Sequence, residues 1–219
     1  MDVLLFGATG MVGQGVLREC LLDPEIGRVL VIGRSPTGQR HVKLTERVHK
    51  NLLDFSTIES DLTGFDACFF CLGVTSTGMT EEDYRRVTYD VTLSVAETLA
   101  RLNPGMTFVY VSGQGTDSTS SGRVMWARVK GATENALLGL PFKAAYMFRP
   151  GVIQPLHGIQ SKTKSYRVLY KLTGPILPLL KRLFPDYITN TEQLGRAMIG
   201  VARRGYAKRV LESRDINRV

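Results

Sequence analysis

The chain has 219 residues, 43% hydrophobic and 22% charged, a length and balance that support one domain with a substantial core and exclude a disordered chain. Its net charge of +8 suits anionic ligands, yet no zinc-finger spacing and no aromatic-basic ribonucleoprotein signature is present, which excludes the common nucleic-acid readers. No apolar run reaches the roughly 20 residues of a membrane-spanning helix, and the apolar start lacks the basic leader of a signal peptide, so a cytoplasmic protein is expected.

Residues 3–6 predict a buried strand, 7–13 a glycine-rich turn, and 11–22 a helix with Val12, Val16 and Leu17 at helical spacing. Residues 29–32 predict a second strand, followed at once by Gly33 and Arg34. A third strand is predicted near 48–53, ending at Asp54, and a fourth over 66–72. A long helix over 81–102 is stopped by Asn103-Pro104-Gly105. Residues 107–111 predict the fifth strand, ending at Ser112; 123–138 a helix; and 144–148 the sixth strand, ending at Arg149-Pro150-Gly151.

These strands are continuous apolar runs alternating with helices, the pattern of a parallel sheet covered on both faces. Right-handed crossovers make that a doubly wound α/β Rossmann sheet, with ligands at the carboxyl ends of its strands. From Val152 the texture changes: a loop to about residue 163, helices over 165–172 and 175–184, a helix over 191–204 and a short edge strand at Val210 and Leu211. No linker sets this part off. The chain reads as one domain, 1–219, with 152–219 forming a small helical cap on the ligand side.

The cysteines Cys20, Cys68 and Cys71 read as reduced thiols. Cys68 and Cys71 match a C-x-x-C spacing, but on a strand positions three apart point to opposite faces. His41, His49 and His157 form no ligand spacing, and no metal is expected.

The strand–turn–helix context gives Gly7-x-x-Gly10-x-x-Gly13 its meaning. Gly7 permits the tight turn, Gly10 lets the backbone approach a pyrophosphate, and Gly13 lets the helix lie close to the strand. Phosphates would then meet unpaired N–H groups at the positive end of the helix, around Thr9, Met11 and Val12. The end of the second strand selects the cofactor. An acid there would bind the ribose 2′-hydroxyl of NAD; Arg34 stands there instead, with no acid between Ile32 and Thr45. A guanidinium grips a 2′-phosphate, so NADP is expected over NAD.

These residues resemble the short-chain dehydrogenase/reductase superfamily in its extended or atypical branch. Gly7-Ala8-Thr9-Gly10-x-x-Gly13 is that branch's opening. The resemblance implies that Asp54, with Leu53 before it, meets the adenine ring. It implies that Cys71-Leu72-Gly73, continuing to Val74 and Thr75, passes under the adenine ribose. Ser112 matches the catalytic serine, and Arg149-Pro150-Gly151 the turn after the sixth strand, which puts Arg149 at the cofactor. Val129-Lys130-Gly131 and the stretch from Arg182 through Glu192 are closer to Tat-interacting-protein-like and nucleotide-sugar-epimerase members.

The superfamily's Tyr-x-x-x-Lys pair is half present. Lys130 keeps the lysine position, which holds the nicotinamide ribose, but Trp126 occupies the tyrosine position. An indole donates one N–H and is no acid or base near neutral pH. Three readings stay open: Tyr84 or Tyr89 supplies the proton, water and Ser112 supply it, or the protein binds NADP(H) without turnover. The first two make it an NADP(H)-dependent oxidoreductase or epimerase-like protein acting on a small carbonyl, alcohol or nucleotide-linked substrate. The third makes it a regulatory binder. The polar loop 117–122 reads as an ordinary surface loop or as a lid, mobile when empty. The basic, apolar stretch 165–184 packs on the sheet, attracts an anionic substrate or touches an acidic membrane surface. The protein reads as a monomer, or a homodimer paired through its long helices.

Overall fold

The computed structural model of the protein describes residues 1–160 and 186–219. The chain runs β1 (Asp2–Phe6), α1 (Met11–Leu22), β2 (Arg28–Gly33), β3 (Leu44–Val48) and β4 (Ala67–Phe70). It continues through α2 (Glu81–Arg85), a π-helical turn (Arg86–Asp90), α3 (Val91–Leu102), β5 (Thr107–Val111), α4 (Met125–Leu138) and β6 (Ala144–Arg149). Then come β7 (Val152–Gln154), β8 (Ile188–Asn190), α5 (Thr191–Arg204), β9 (Val210–Glu212) and α6 (Ser213–Ile216).

Seven strands make one parallel sheet in the order β3-β2-β1-β4-β5-β6-β9. This is the expected Rossmann arrangement. The strand order reverses between β1 and β4, which opens a crevice at their carboxyl ends. Both faces are buried, as the apolar runs require. Phe6, Phe70 and Phe108 line one face, with ring centroids 5.7 and 5.9 Å apart. Val3, Leu5, Phe69, Val109 and Phe148 line the other. Cys68 belongs to the first face and Cys71 packs against the second, both as free thiols.

The third strand lies earlier than expected, at Leu44–Val48 rather than 48–53. It is the sheet edge, so only alternate side chains turn inward; Thr45, Arg47 and Val48 are exposed, and Arg47 Nε meets Asp61 at 2.8 Å. An edge strand is not a continuous apolar run, so its sequence lacks the pattern of the inner strands. Residues 51–54 form a turn instead, with the Asp54 N–H donating to Asn51 O at 3.3 Å. The helix expected over 81–102 is present, capped by Thr80, whose Oγ1 accepts from Asp83 N at 3.1 Å, but a π-helical turn interrupts it.

The helices expected at 165–172 and 175–184 lie outside the described residues. Beyond them, 191–219 does not cap the ligand edge. The α5 helix lies along α1, and β9 extends the sheet past β6. Glycines set that helix contact. A Cβ on Gly15 would fall 2.6 Å from Thr191 Cβ, and one on Gly195 would fall 2.8 Å from Glu19 Cγ. The apolar face of α5, with Leu194, Ala197, Met198 and Val201 buried, then completes the core on that side.

Candidate functional site

A cleft of about 490 Å³ opens at the carboxyl ends of the central strands, within the size range of about 300–1,000 Å³ usual for small-molecule sites. One end is built by the turn between β1 and α1. Gly7 has φ +82°, and a Cβ there would sit 2.6 Å from the Cys71 backbone. A Cβ on Gly13 would sit 2.1 Å from Gly7 O. Both glycines are therefore fixed by close backbone approach. Gly10 differs: a Cβ there would meet only Gly7 O, at 3.4 Å, so its cleft side is open. Gly10 is also the N-cap of α1, with no side-chain cap and no acid in the first turn. The first N–H groups of α1 thus lack a side-chain partner beside open space lined by Thr9, Met11 and Val12, the arrangement that binds anions.

Arg34 leaves the end of β2, exposed, and lines both the cleft and a recess of about 100 Å³ beside it. Among the described residues its guanidinium has no ion-pair or hydrogen-bond partner. Cys71, Leu72 and Gly73 form the neighbouring wall. Burial pushes the Cys71 thiol far up, so it stays protonated. Leu53 and Asp54 do not line the cleft. Both are exposed, and the Asp54 carboxylate accepts from Ser56 N at 2.9 Å, a bond that lowers its pKa. Leu52 lines the recess instead. The displaced third strand carried the expectation one residue too far.

The other end holds Ser112, Gly113, Lys130 and the Pro150-Gly151 turn. Lys130 Nζ donates to the backbone carbonyl of Ser112. Burial pulls the Lys130 pKa down to about 8, opposed by the carboxylate of Glu134 one turn later on α4. Ser112 Oγ lies within bonding range of Glu134 Oε1 and of Phe148 O, the latter at 3.1 Å. Its single proton goes to one of these.

Glu134 is a residue that sequence reasoning missed. It is fully buried, and Arg149 grips it through Nε, at 3.0 and 3.2 Å, and through Nη2. Arg149 also donates to Ser118 Oγ at 2.6 Å and lies 3.5 Å from Glu212. It therefore sits in an interior ion pair, not in the cleft lining where the resemblance put it. The available signal was the spacing: Glu134 shares the helix face of Lys130, and a buried acid needs a cation.

Trp126 is half-buried in the first turn of α4, its ring edge packed beside Gly115, and it is not among the cleft-lining residues. Tyr84 is buried near Thr88 and Tyr110, and Tyr89 lies under Arg85, 3.9 Å from ring centroid to guanidinium carbon. Neither phenol lines the cleft. The loop 117–122 is closed by its own aspartate: Asp117 accepts from Thr119 N at 3.0 Å, Ser121 N at 3.2 Å and Gly122 N at 2.7 Å, which lowers its pKa. Among the described residues no cluster of three or more histidine, cysteine or acidic side chains could hold a metal, and no helix is long and apolar enough to cross a membrane.

No family model matches the chain. Protein HTATIP2 of Rattus norvegicus is 31% identical over 159 residues, 69% of this chain and 62% of that protein. The mitochondrial protein fmp52 of Emericella nidulans is 30% identical over 159 residues, 69% of this chain and 66% of that protein. The match thus spans less than two thirds of the length of each relative. A short chain dehydrogenase family protein from Francisella tularensis superposes with a TM-score of 0.67 at 14% identity, covering 93% of this chain and 91% of its own.

Proposed function

The chain belongs to the atypical short-chain dehydrogenase/reductase superfamily, and we propose that it binds NADP(H) and acts as an oxidoreductase or epimerase-like protein on a small carbonyl, alcohol or nucleotide-linked substrate. One observation carries this reading: a single cleft joins an uncapped helix N-terminus, an arginine without a partner among the described residues and a half-buried lysine. The open side of Gly10 and the N–H groups of Met11 and Val12 receive the pyrophosphate. Arg34 holds the 2′-phosphate, and the absence of an acid at that strand end favours NADP over NAD. Leu52, Leu72 and Gly73 flank the adenosine. Lys130 holds the nicotinamide ribose, and Ser112 stands at the reacting oxygen. The cofactor supplies or accepts a hydride there. Surplus positive charge favours an anionic substrate.

Isothermal titration calorimetry with NADPH and NADH tests this. Saturable binding of NADPH, tighter than NADH, is expected; no heat with either, and no thermal shift, removes the cofactor reading. A second reading, a non-catalytic NADP(H)-responsive binder, is favoured by Trp126 and by the lack of a tyrosine among the described lining residues. Under it, NADPH binds, an aldehyde and ketone panel is not reduced, and Trp126→Tyr gains reductase activity.

A further inference from the structure

We propose that Lys130 itself exchanges the proton with the substrate oxygen, so that this cleft does acid–base chemistry without a tyrosine. The proposal rests on the reading that the cleft holds NADP(H). Among the described lining residues the ionisable side chains are Arg34, Cys71 and Lys130. Arg34 stands at the opposite end and never releases its proton. The Cys71 thiol is pushed too far up to exchange one. The Ser112 proton is turned inward, toward Glu134 or Phe148 O.

Lys130 meets the requirements that these groups fail. Its ammonium carries three N–H bonds. One is spent on Ser112 O, which anchors Nζ beside the serine, and no other described residue claims the remaining two. They are left for the ribose and for the substrate. Desolvation brings the ammonium to a pKa of about 8, close to the value a general acid needs near neutral pH. The charged group facing it is Glu134 on its own helix, which keeps the pKa from falling further. Glu134 in turn is shared with Arg149 from β6, and Arg149 with Glu212 from β9. The sheet therefore holds Glu134 in place to act on Lys130.

In the reductive direction an Nζ–H bond breaks as an O–H bond forms on the carbonyl oxygen. The carbonyl carbon takes the hydride that the reduced cofactor supplies, and the neutral amine regains a proton from solvent. In the oxidative direction the amine takes the hydroxyl proton.

Three measurements on the full chain test this. With lysine labelled at ¹³Cε, the resonance missing from Lys130→Arg identifies Lys130; it is expected to titrate near pH 8. Glu134→Gln is expected to move that titration, and the pH profile of aldehyde reduction by NADPH, to lower pH together. Lys130→Arg keeps the charge but offers no proton that it can release, so reduction at saturating NADPH is expected to fall about 100-fold or more. A Lys130 that titrates above pH 10, a Lys130→Arg variant that retains turnover within tenfold, or a wild type that binds NADPH and reduces nothing overturns the proposal. The last outcome leaves the cofactor reading standing. That reading fails separately, by the absence of NADPH binding.

Discussion

Arg34 and Glu134 show two ways in which one residue sets a site. Arg34 is exposed and unpaired among the described residues, so under the proposed function it would meet a ligand phosphate without first breaking an ion pair. Hydrogen bonds to a charged group are worth about 1.5–3 kcal/mol, so Arg34→Ala is expected to weaken NADPH about 10- to 100-fold and to leave NADH nearly unchanged, as titration calorimetry of both will show. Glu134 acts through others. Removing its carboxylate leaves the Arg149 guanidinium, whose side chain is 11% exposed, with only the looser Glu212 contact at 3.5 Å among the described carboxylates. Glu134→Leu is expected to cost about 3–5 kcal/mol in urea unfolding. The place of Arg34 on the cleft was legible because it depends only on the strand end that precedes it. Glu134 was not, because its partners Ser112 and Arg149 lie 22 and 15 residues away and meet it only when β5, β6 and α4 pack.

The element that defines the site is the turn into α1, where neighbouring glycines answer to different constraints. Gly13 is pressed against the Gly7 carbonyl, so Gly13→Ala is expected to lower stability by about 1–3 kcal/mol. Gly10 faces open space at ordinary backbone angles, φ −81° and ψ 165°. Gly10→Ala is expected to change stability by less than about 1 kcal/mol and yet to abolish high-affinity NADPH binding, because the new methyl group stands where the phosphates approach. Thermal unfolding and calorimetry on the two variants separate fold from binding. The spacing and the separate tasks of its glycines were legible in the sequence; that the Cys71 backbone presses on Gly7 was not, because it depends on how closely the end of β4 comes. The loop 117–122 carries the opposite lesson. Its polar sequence suggested mobility, whereas the Asp117 carboxylate gathers its N–H groups inward. Those bonds lower the Asp117 pKa, so the order they give is fully present above the ordinary carboxylate pKa and lost as pH falls through the lowered value. Hydrogen exchange at Ser121 and Gly122 is expected to report weaker protection there, on the acid side alone.

At the scale of the molecule, the net charge of +8 adds a long-range attraction for anions to the short-range grip proposed for Arg34. NADPH affinity is therefore expected to fall between about 0.05 and 0.3 M salt, more steeply than NADH affinity, since screening lengths shrink below about 10 Å in that range. The sheet and its ligand edge were legible because buried parallel strands read as unbroken apolar runs. The edge strand β3, the π-helical turn and the true place of α5 were not. The first alternates, the second is one extra residue within a helical period, and the third depends on a partner far back in the chain.

That partnership has a consequence for how the protein is made. The α1 helix, whose N-terminus opens on the cleft, has its flank closed by α5, and Arg196 reaches Glu19 across 177 residues at 3.1 Å. During synthesis α1 emerges early and waits, its glycine-lined flank bare, until α5 leaves the ribosome. A chain cut before Thr191 leaves this flank of α1, and the glycine-rich turn it carries, without the cover that α5 gives.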